Sequence, residues 1–220
     1  MGKALQQRRT DPDWVAERFD RIASSYSLFE RLFLVPRNAA ERAVEQLQLR
    51  DGQYVLEVGC GKGPLLPSLS NAVGELGRVV ALDLSEKMLI PAQCRIQENG
   101  LRNVELLHSD LFDHDDRGRS DAALFAFSLS SFGEPARALR NVWNRLGPGG
   151  RLVVLDGQLP PRLSWITRPA MPAIRWFLEH TVLGDPDMRP LELLADLGGH
   201  MEVEWFRGRT YFVACVTKPR

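Results

Sequence analysis

Apolar residues recur along this chain in two different periods. Near the start, Val15, Phe19, Ile22, Tyr26, Phe29 and Phe33 follow one another at spacings of four and three, the signature of one helical face. Asp11-Pro12 stands before them as N-cap and first helical position, and Ser24-Ser25 divides the stripe into two helices folded over the domain. A second helical stripe covers 37–49 and is closed by Arg50-Asp51-Gly52. From there short apolar runs alternate with helical stretches. Strands are expected at 55–58, 78–82, 104–108, 121–127 and 151–155. The intervening helices cover 65–73, then run from Ser85 as N-cap to Asn99-Gly100, and from Glu134-Pro135 to Leu146. Pro91 should kink or delay the second of these.

Five such alternations predict an α/β doubly wound sheet with helices on both faces rather than a sandwich. The near-continuous apolar run 121–127 is what a central parallel strand needs when both its faces are covered. Residues 74–77 read as a turn, 113–119 as a solvated charged loop, and Gly147-Pro148-Gly149-Gly150 as the turn into the fifth strand. After Asp156 the rhythm breaks. Residues 157–189 are irregular and proline-rich, and Trp165, Ile166, Met171, Ile174, Trp176 and Phe177 either line a pocket there or cover the sheet. A short helix at 191–197 ends at Gly198-Gly199, and 201–206 and 210–217, separated by Arg207-Gly208-Arg209, form a terminal antiparallel hairpin.

Composition narrows the class of protein. With 220 residues, 44% of them hydrophobic, the chain fits one domain spanning 1–220 with a substantial core. Basic and acidic residues number 28 each, so no basic surplus supports a nucleic-acid partner. Cys60, Cys94 and Cys215 are too scattered for a zinc site or a disulfide framework, which points to a reducing, cytoplasmic setting. No metal pattern surrounds His108, His114 or His200. Signal-peptide and transmembrane patterns are absent: the longest apolar run, 122–132, is broken by serines and falls short of the ~18 residues a membrane helix needs. Peripheral contact with a membrane stays open.

The chemistry centres on the strand 55–58, which runs directly into Gly59, Gly61 and Gly63. Glycines at a strand-to-helix turn allow positive φ and close approach of a ligand. Glu57 lies inside that apolar strand; it either faces a site at the strand's end or points to solvent from a frayed strand. A dinucleotide fingerprint would carry its third glycine at 64, where Pro64 stands instead. A proline in the first helical turn also removes an N–H that would bind a pyrophosphate, so a ligand without phosphates suits this turn better. Asp83, 20 residues beyond Gly63, ends the second strand, where a carboxylate can accept from both hydroxyls of a ribose. Such charge-assisted bonds contribute ~1.5–3 kcal/mol each. Asp83 alone fits NAD equally well, so the discrimination rests on Pro64, Glu57 and Asp110. Cys60 reads as a small residue in a tight turn rather than a nucleophile. His180 shares a face with Trp176 and Phe177 if 172–183 is helical; it is a base at a pocket edge or a structural residue.

These motifs, spread over 11–156, resemble the class I S-adenosylmethionine-dependent methyltransferases, which have a single Rossmann-like sheet, mostly parallel. The resemblance implies that Gly59, Cys60, Gly61 and Gly63 approach the methionine part of the cofactor and that Glu57 faces its amino group. Asp83 then holds the ribose, with Leu84 and Met88 near the adenine. Ser109-Asp110-Leu111 resembles the adenine-edge motif, with Asp110 accepting from the exocyclic amine. Ala126-Phe127-Ser128 matches the motif under the sulfonium, and 146–150 the turn before the fifth strand. The segment from Phe19 to Tyr26 is similar to the opening of quinone-biosynthesis and phospholipid (phosphatidylethanolamine-type) methyltransferases, whose tyrosine packs over the cofactor, although Ser27 stands where they usually carry aspartate. Core packing is the other reading of Tyr26.

The expected activity is methyl transfer from S-adenosylmethionine, by direct displacement, to a small apolar or lipid- or quinone-like acceptor. Residues 11–50 would form a helical lid and 157–199 a substrate cap. No nucleophile is required, and a base only where the acceptor must lose a proton; Tyr26 and His180 are the candidates. A cofactor-binding protein without transfer activity and an NAD-dependent oxidoreductase are the alternatives.

Overall fold

In the computed structural model, residues 8, 10–23, 37–114, 120–157, 172 and 188–220 are described. Strands β1 (Tyr54–Val58), β2 (Arg78–Asp83), β3 (Val104–His108), β4 (Ser120–Ala126), β5 (Leu146–Gly157), β6 (His200–Phe206) and β7 (Tyr211–Thr217) form a seven-stranded sheet in the order β3-β2-β1-β4-β5-β7-β6. The first five are parallel, and β7 runs antiparallel to β5 and β6. The described helices are α1 (Pro12–Ile22), α2 (Arg37–Gln46), α3 (Leu66–Val73), α4 (Glu86–Glu98), α5 (Pro135–Arg145) and α6 (Pro190–Ala195). This is the doubly wound, Rossmann-like arrangement with a terminal hairpin that the alternation of strands and helices predicts. The chain reverses direction across the sheet between β1 and β4, and in open parallel sheets the crevice at that switch point is where ligands bind.

Strand alternation sorts the core into two layers. Val55, Val79, Ala81, Leu124 and Val153 pack under α2, α3 and α4 through Ala43, Leu66, Leu69 and Ala92. On the other face, Leu56, Val80, Phe125 and Val154 meet α5 and α6 through Leu139, Val142 and Leu194. Fully burying one such side chain contributes about 1.5–3 kcal/mol, so this double layer makes the sheet a rigid platform. Glu57 shares the face of Val55, beneath the start of α3.

Local sequence explains the starts of α1 and α4. Asp11 caps α1, its Oδ1 accepting from the Asp13 and Trp14 amides at 3.1 and 3.5 Å. Ser85 caps α4, accepting from the Met88 amide at 3.2 Å. Four expectations need correction. The second helix stops at Gln46 rather than near 49, because Gln48 takes φ 49°, outside the helical region. Pro91 does not delay α4, which starts at Glu86 and continues past it; the carbonyl it leaves free belongs to the exposed Lys87, where water can satisfy it. Residues 147–150 are not a turn before β5 but a bulge inside it. Leu146 already pairs with Ser120 and Arg151 with Ala122, and the segment after β7 holds the bulge open, with the Lys218 amide bonded to Gly150 O at 2.8 Å. Pro64 lies before α3 rather than in its first turn; Pro67 occupies that turn.

Candidate active site

The parallel register carries the C-terminal ends of β1 to β5 to one edge of the sheet, so residues far apart in sequence meet there. The amides of Gly59 and Cys60 both donate to Leu82 O, at 2.8 and 2.9 Å, which turns the chain sharply off β1 towards β2. Gly59 and Gly63 have positive φ and no room: a Cβ on Gly59 would stand 2.5 Å from the Ser128 Cβ, and one on Gly63 the same distance from Leu66 Cδ1. Gly61 differs. Its φ is 55°, yet a Cβ there would meet nothing within 4 Å. Two of the three glycines are therefore required by packing, while Gly61 borders open space where a ligand's backbone can lie. With Pro64 and Pro67 both lacking an N–H, the start of α3 is a poor phosphate site.

Asp83 organises this turn. Its Oδ2 accepts from the Gly61 amide at 2.7 Å and its Oδ1 from the Ser85 amide at 2.9 Å. Burial raises its carboxyl above the ordinary range, opposed by these backbone donors. With the Leu84 amide as a third backbone donor, the carboxylate still has acceptor capacity for a ligand's hydroxyl. Glu57 is 2% exposed, and its Oε2 is buried without a hydrogen-bond partner. Burial, and then the charge of Asp83, push it up to about 8, so it is protonated at neutral pH. A cationic group delivered beside it would let it ionise. Burial likewise raises the Cys60 thiol, with Glu57 and Asp83 adding to the shift, which removes nucleophile character.

At the end of β3, the Ser109 amide donates to Asp83 O at 3.2 Å and the Phe112 amide to Asp110 Oδ1 at 2.9 Å. His108 Nε2 lies 2.9 Å from Leu84 O, tying this edge to β2. Leu84 keeps part of its surface open, whereas Met88 and Leu111 are buried, Leu111 in the same layer as Phe125. At the end of β4, Ser128 Oγ donates to Val58 O at 2.5 Å, pinning β4 to β1 beside Gly59. Phe127 has φ 56°, a left-handed conformation unusual for a bulky residue. Its amide donates to Leu155 O at 2.8 Å and its ring meets Tyr211 edge-on at 5.9 Å, which together impose that geometry. Tyr26 and His180 lie outside the described residues, as do Trp165, Ile166, Met171, Ile174, Trp176 and Phe177.

Sequence reasoning missed two features of this edge. Asp156, at the end of β5, is buried; its oxygens accept from the Gly157 and Ser130 amides at 2.8 and 3.3 Å, and burial raises it to about 6. An acid closing an apolar strand was the available signal, the same one that marks Asp83. The other is Asp20 on α1, whose Oδ1 accepts from Ser85 Oγ at 2.5 Å; no local pattern announces a contact across 65 residues. Among the described residues no group of His, Cys, Asp and Glu could hold a metal ion, and no helix is long and apolar enough to cross a membrane.

The two kinds of glycine make a direct test. Gly59→Ala is expected to destabilise the ligand-free protein by about 2–4 kcal/mol through overpacking and backbone strain. Ser128→Gly in the same chain should recover part of that loss. Gly61→Ala should cost only about 1–2 kcal/mol of strain yet weaken ligand binding far more. Denaturant unfolding and ligand titration of the three variants check both.

A buried carboxyl oxygen without a partner, a glycine bordering open space and acids closing two neighbouring strands, on a sheet of order 3-2-1-4-5-7-6, fit a class I S-adenosylmethionine-dependent methyltransferase. The model of the ubiE/COQ5 methyltransferase family matches residues 4–165, and the chain belongs to that family. It is 25% identical to a demethylmenaquinone methyltransferase of Lactococcus lactis, over 90% of this chain and 86% of that protein. It is 27% identical to the ubiquinone/menaquinone biosynthesis C-methyltransferase UbiE of Escherichia fergusonii, over 88% of this chain and 85% of that protein. Among solved structures it is similar to a SAM-dependent methyltransferase from Aquifex aeolicus, with a TM-score of 0.62 and 25% identity over 94% of this chain and 98% of that one. The oxidoreductase alternative is thereby set aside, and S-adenosylmethionine is the cofactor.

Proposed function

We propose that the protein transfers the methyl group of S-adenosylmethionine to a ring carbon of a quinone-like acceptor, taken in its reduced form. The donor half of this reading is carried by one observation, the buried Glu57 carboxyl without a partner beside the open Gly61. The acceptor half is supported by the relatives named for methylation in quinone biosynthesis. When bound, S-adenosylmethionine would supply a methyl group on a positively charged sulfur; an electron-rich ring carbon that takes the methyl displaces S-adenosylhomocysteine and gives up its own ring proton to water or a base.

The residues of this chain hold and shield. Glu57 receives the amino group of the cofactor and Asp83 its ribose. Asp110 accepts from the adenine amine, between Leu84 and Met88, with Ser109 and Leu111 shaping that end. Gly59, Cys60, Gly61 and Gly63 contour the methionine part, and Phe127 and Ser128 lie beneath the sulfonium. Residues 11–50, including Tyr26, serve as a lid, and 157–199 as a cap of apolar residues over the acceptor, in a cytoplasmic enzyme. Alignment and exclusion of water are the main catalytic contributions in a displacement of this type.

Incubating the protein with methyl-labelled S-adenosylmethionine and reduced, ring-demethylated benzoquinone and naphthoquinone compounds tests the proposal. Label is expected in the organic phase, in a product whose methyl group survives hot hydriodic acid, which cleaves aryl methyl ethers but not carbon-bound methyl groups. Label confined to water-soluble products refutes the apolar acceptor. No label in any fraction, despite cofactor binding, favours a protein that binds without transferring.

A further inference from the structure

Helix α1 makes few deep contacts: every residue of it whose side chain is described is exposed or half-buried. Among the described residues, it is tied to α4 by a polar contact. Asp20 Oδ1 accepts from Ser85 Oγ at 2.5 Å and from the Lys87 amide at 3.2 Å, the latter in the first turn of α4. A carboxylate there also meets the positive end of the helix dipole. Ser85 is fully buried, and its amide donates to Asp83 Oδ1, while Asp83 Oδ2 accepts from Gly61. A single hydrogen-bonded chain thus runs from α1 to the open glycine of the cofactor site: Asp20, Ser85, Asp83, Gly61.

We infer that Asp20 is a positioning residue for S-adenosylmethionine, coupling the docking of α1 to occupancy of the cofactor site. With Asp20 in place, Ser85 is held from both sides. Its amide keeps one Asp83 oxygen fixed, so the remaining lone pairs of that carboxylate are aimed before the ligand arrives. Loss of Asp20 frees the Ser85 hydroxyl and the Lys87 amide, and Asp83 loses a fixed neighbour. Coupling of this kind is reciprocal, so a ligand that orders Asp83 must strengthen the docking of α1 by the same factor. The inference concerns the cofactor alone and stands apart from the identity of the acceptor.

The test uses S-adenosylhomocysteine as probe, without any acceptor. Calorimetric titration of Asp20→Ala is expected to show about tenfold weaker binding than the unmodified protein. Asp20→Asn keeps an oxygen facing Ser85 and should recover most of that loss. Glu17→Ala, which removes only the exposed Arg21–Glu17 pair on the same helix, should bind normally. The second readout is amide hydrogen exchange in residues 12–22. S-adenosylhomocysteine should slow it about tenfold in the unmodified protein and leave it unchanged in Asp20→Ala. Affinity within twofold of normal in Asp20→Ala, equal loss in Glu17→Ala, or exchange indifferent to the ligand in the unmodified protein would each overturn the inference, leaving Asp20 as ordinary helix packing.

Discussion

Glu57→Gln is expected to stabilise the ligand-free protein at pH 8 relative to pH 5 while weakening S-adenosylmethionine binding at least tenfold. The folded carboxyl titrates at about 8 because burial, reinforced by Asp83, penalises its charge, whereas its ordinary value is 4.5. Between those values the folded state holds a proton that the unfolded state has released. Stability contributed by this group is therefore greatest below pH 4.5 and falls as the pH rises towards 8, by up to about 1.4 kcal/mol per pH unit. Glutamine carries no charge and removes that slope. From pH 5 to pH 8 the stability of the variant relative to the unmodified protein should rise by about 3–4 kcal/mol. Asp156, raised to about 6, acts in the opposite sense to an ordinary ion-paired carboxylate too, but it is common to both proteins and cancels. Urea unfolding at pH 5 and pH 8 provides the measurement, and a constant difference would mean that the Glu57 carboxyl is not both buried and unpaired. Cofactor binding at pH 7 should also release close to one proton in the unmodified protein and none in the variant, readable from calorimetric heats in buffers of different ionisation enthalpy.

Asp83→Ala should abolish the thermal shift that S-adenosylmethionine produces. At 100 times Kd a ligand adds about 2.7 kcal/mol, which for a chain of this length is roughly a 5–11 °C rise in Tm. The loss is expected for two reasons. On the proposed reading the carboxylate accepts from the ribose, and it also fixes the Gly61 and Ser85 amides at 2.7 and 2.9 Å. Without it the turn at Gly61 is no longer held, and each stranded N–H carries a penalty of about 1–3 kcal/mol. The ligand-free Tm should fall as well, so shifts are compared within each protein rather than between proteins. Asp83→Asn, whose amide offers a single acceptor oxygen, should bind weakly rather than not at all. A full shift in Asp83→Ala would move the ribose contact away from the end of β2.

Much of this was legible in one dimension because the signals are local. The Asp11-Pro12 start of α1, the Ser85 cap and the five apolar runs each depend on a few consecutive residues, and all of them are present in the fold. The glycine turn and the acids at 57, 83 and 110 could be found because strand ends mark one edge of a parallel sheet. The misreadings share another cause. Residues 147–150 look like a turn, yet the chain beyond β7 pairs with them and keeps them in β5. The burial of Asp156 against Ser130 depends on how α5 and the loop before it pack. Asp20 meets Ser85 only because α1 folds back across the domain.

By itself the sequence determined the class of fold and the positions where acids and glycines end the strands, and its resemblance to a known family supplied the cofactor. Periodicity of apolar residues and short-range turn chemistry act between neighbours in the chain, where no folding is needed to read them. Only the tertiary structure decided which glycine faces open space, that Glu57 Oε2 is buried without a hydrogen-bond partner, and that α1 is hydrogen-bonded to Ser85 beside Asp83. Those properties arise from burial and from contacts between distant residues. The free energy of a buried charge is set by what surrounds it in space, and no local pattern carries that information.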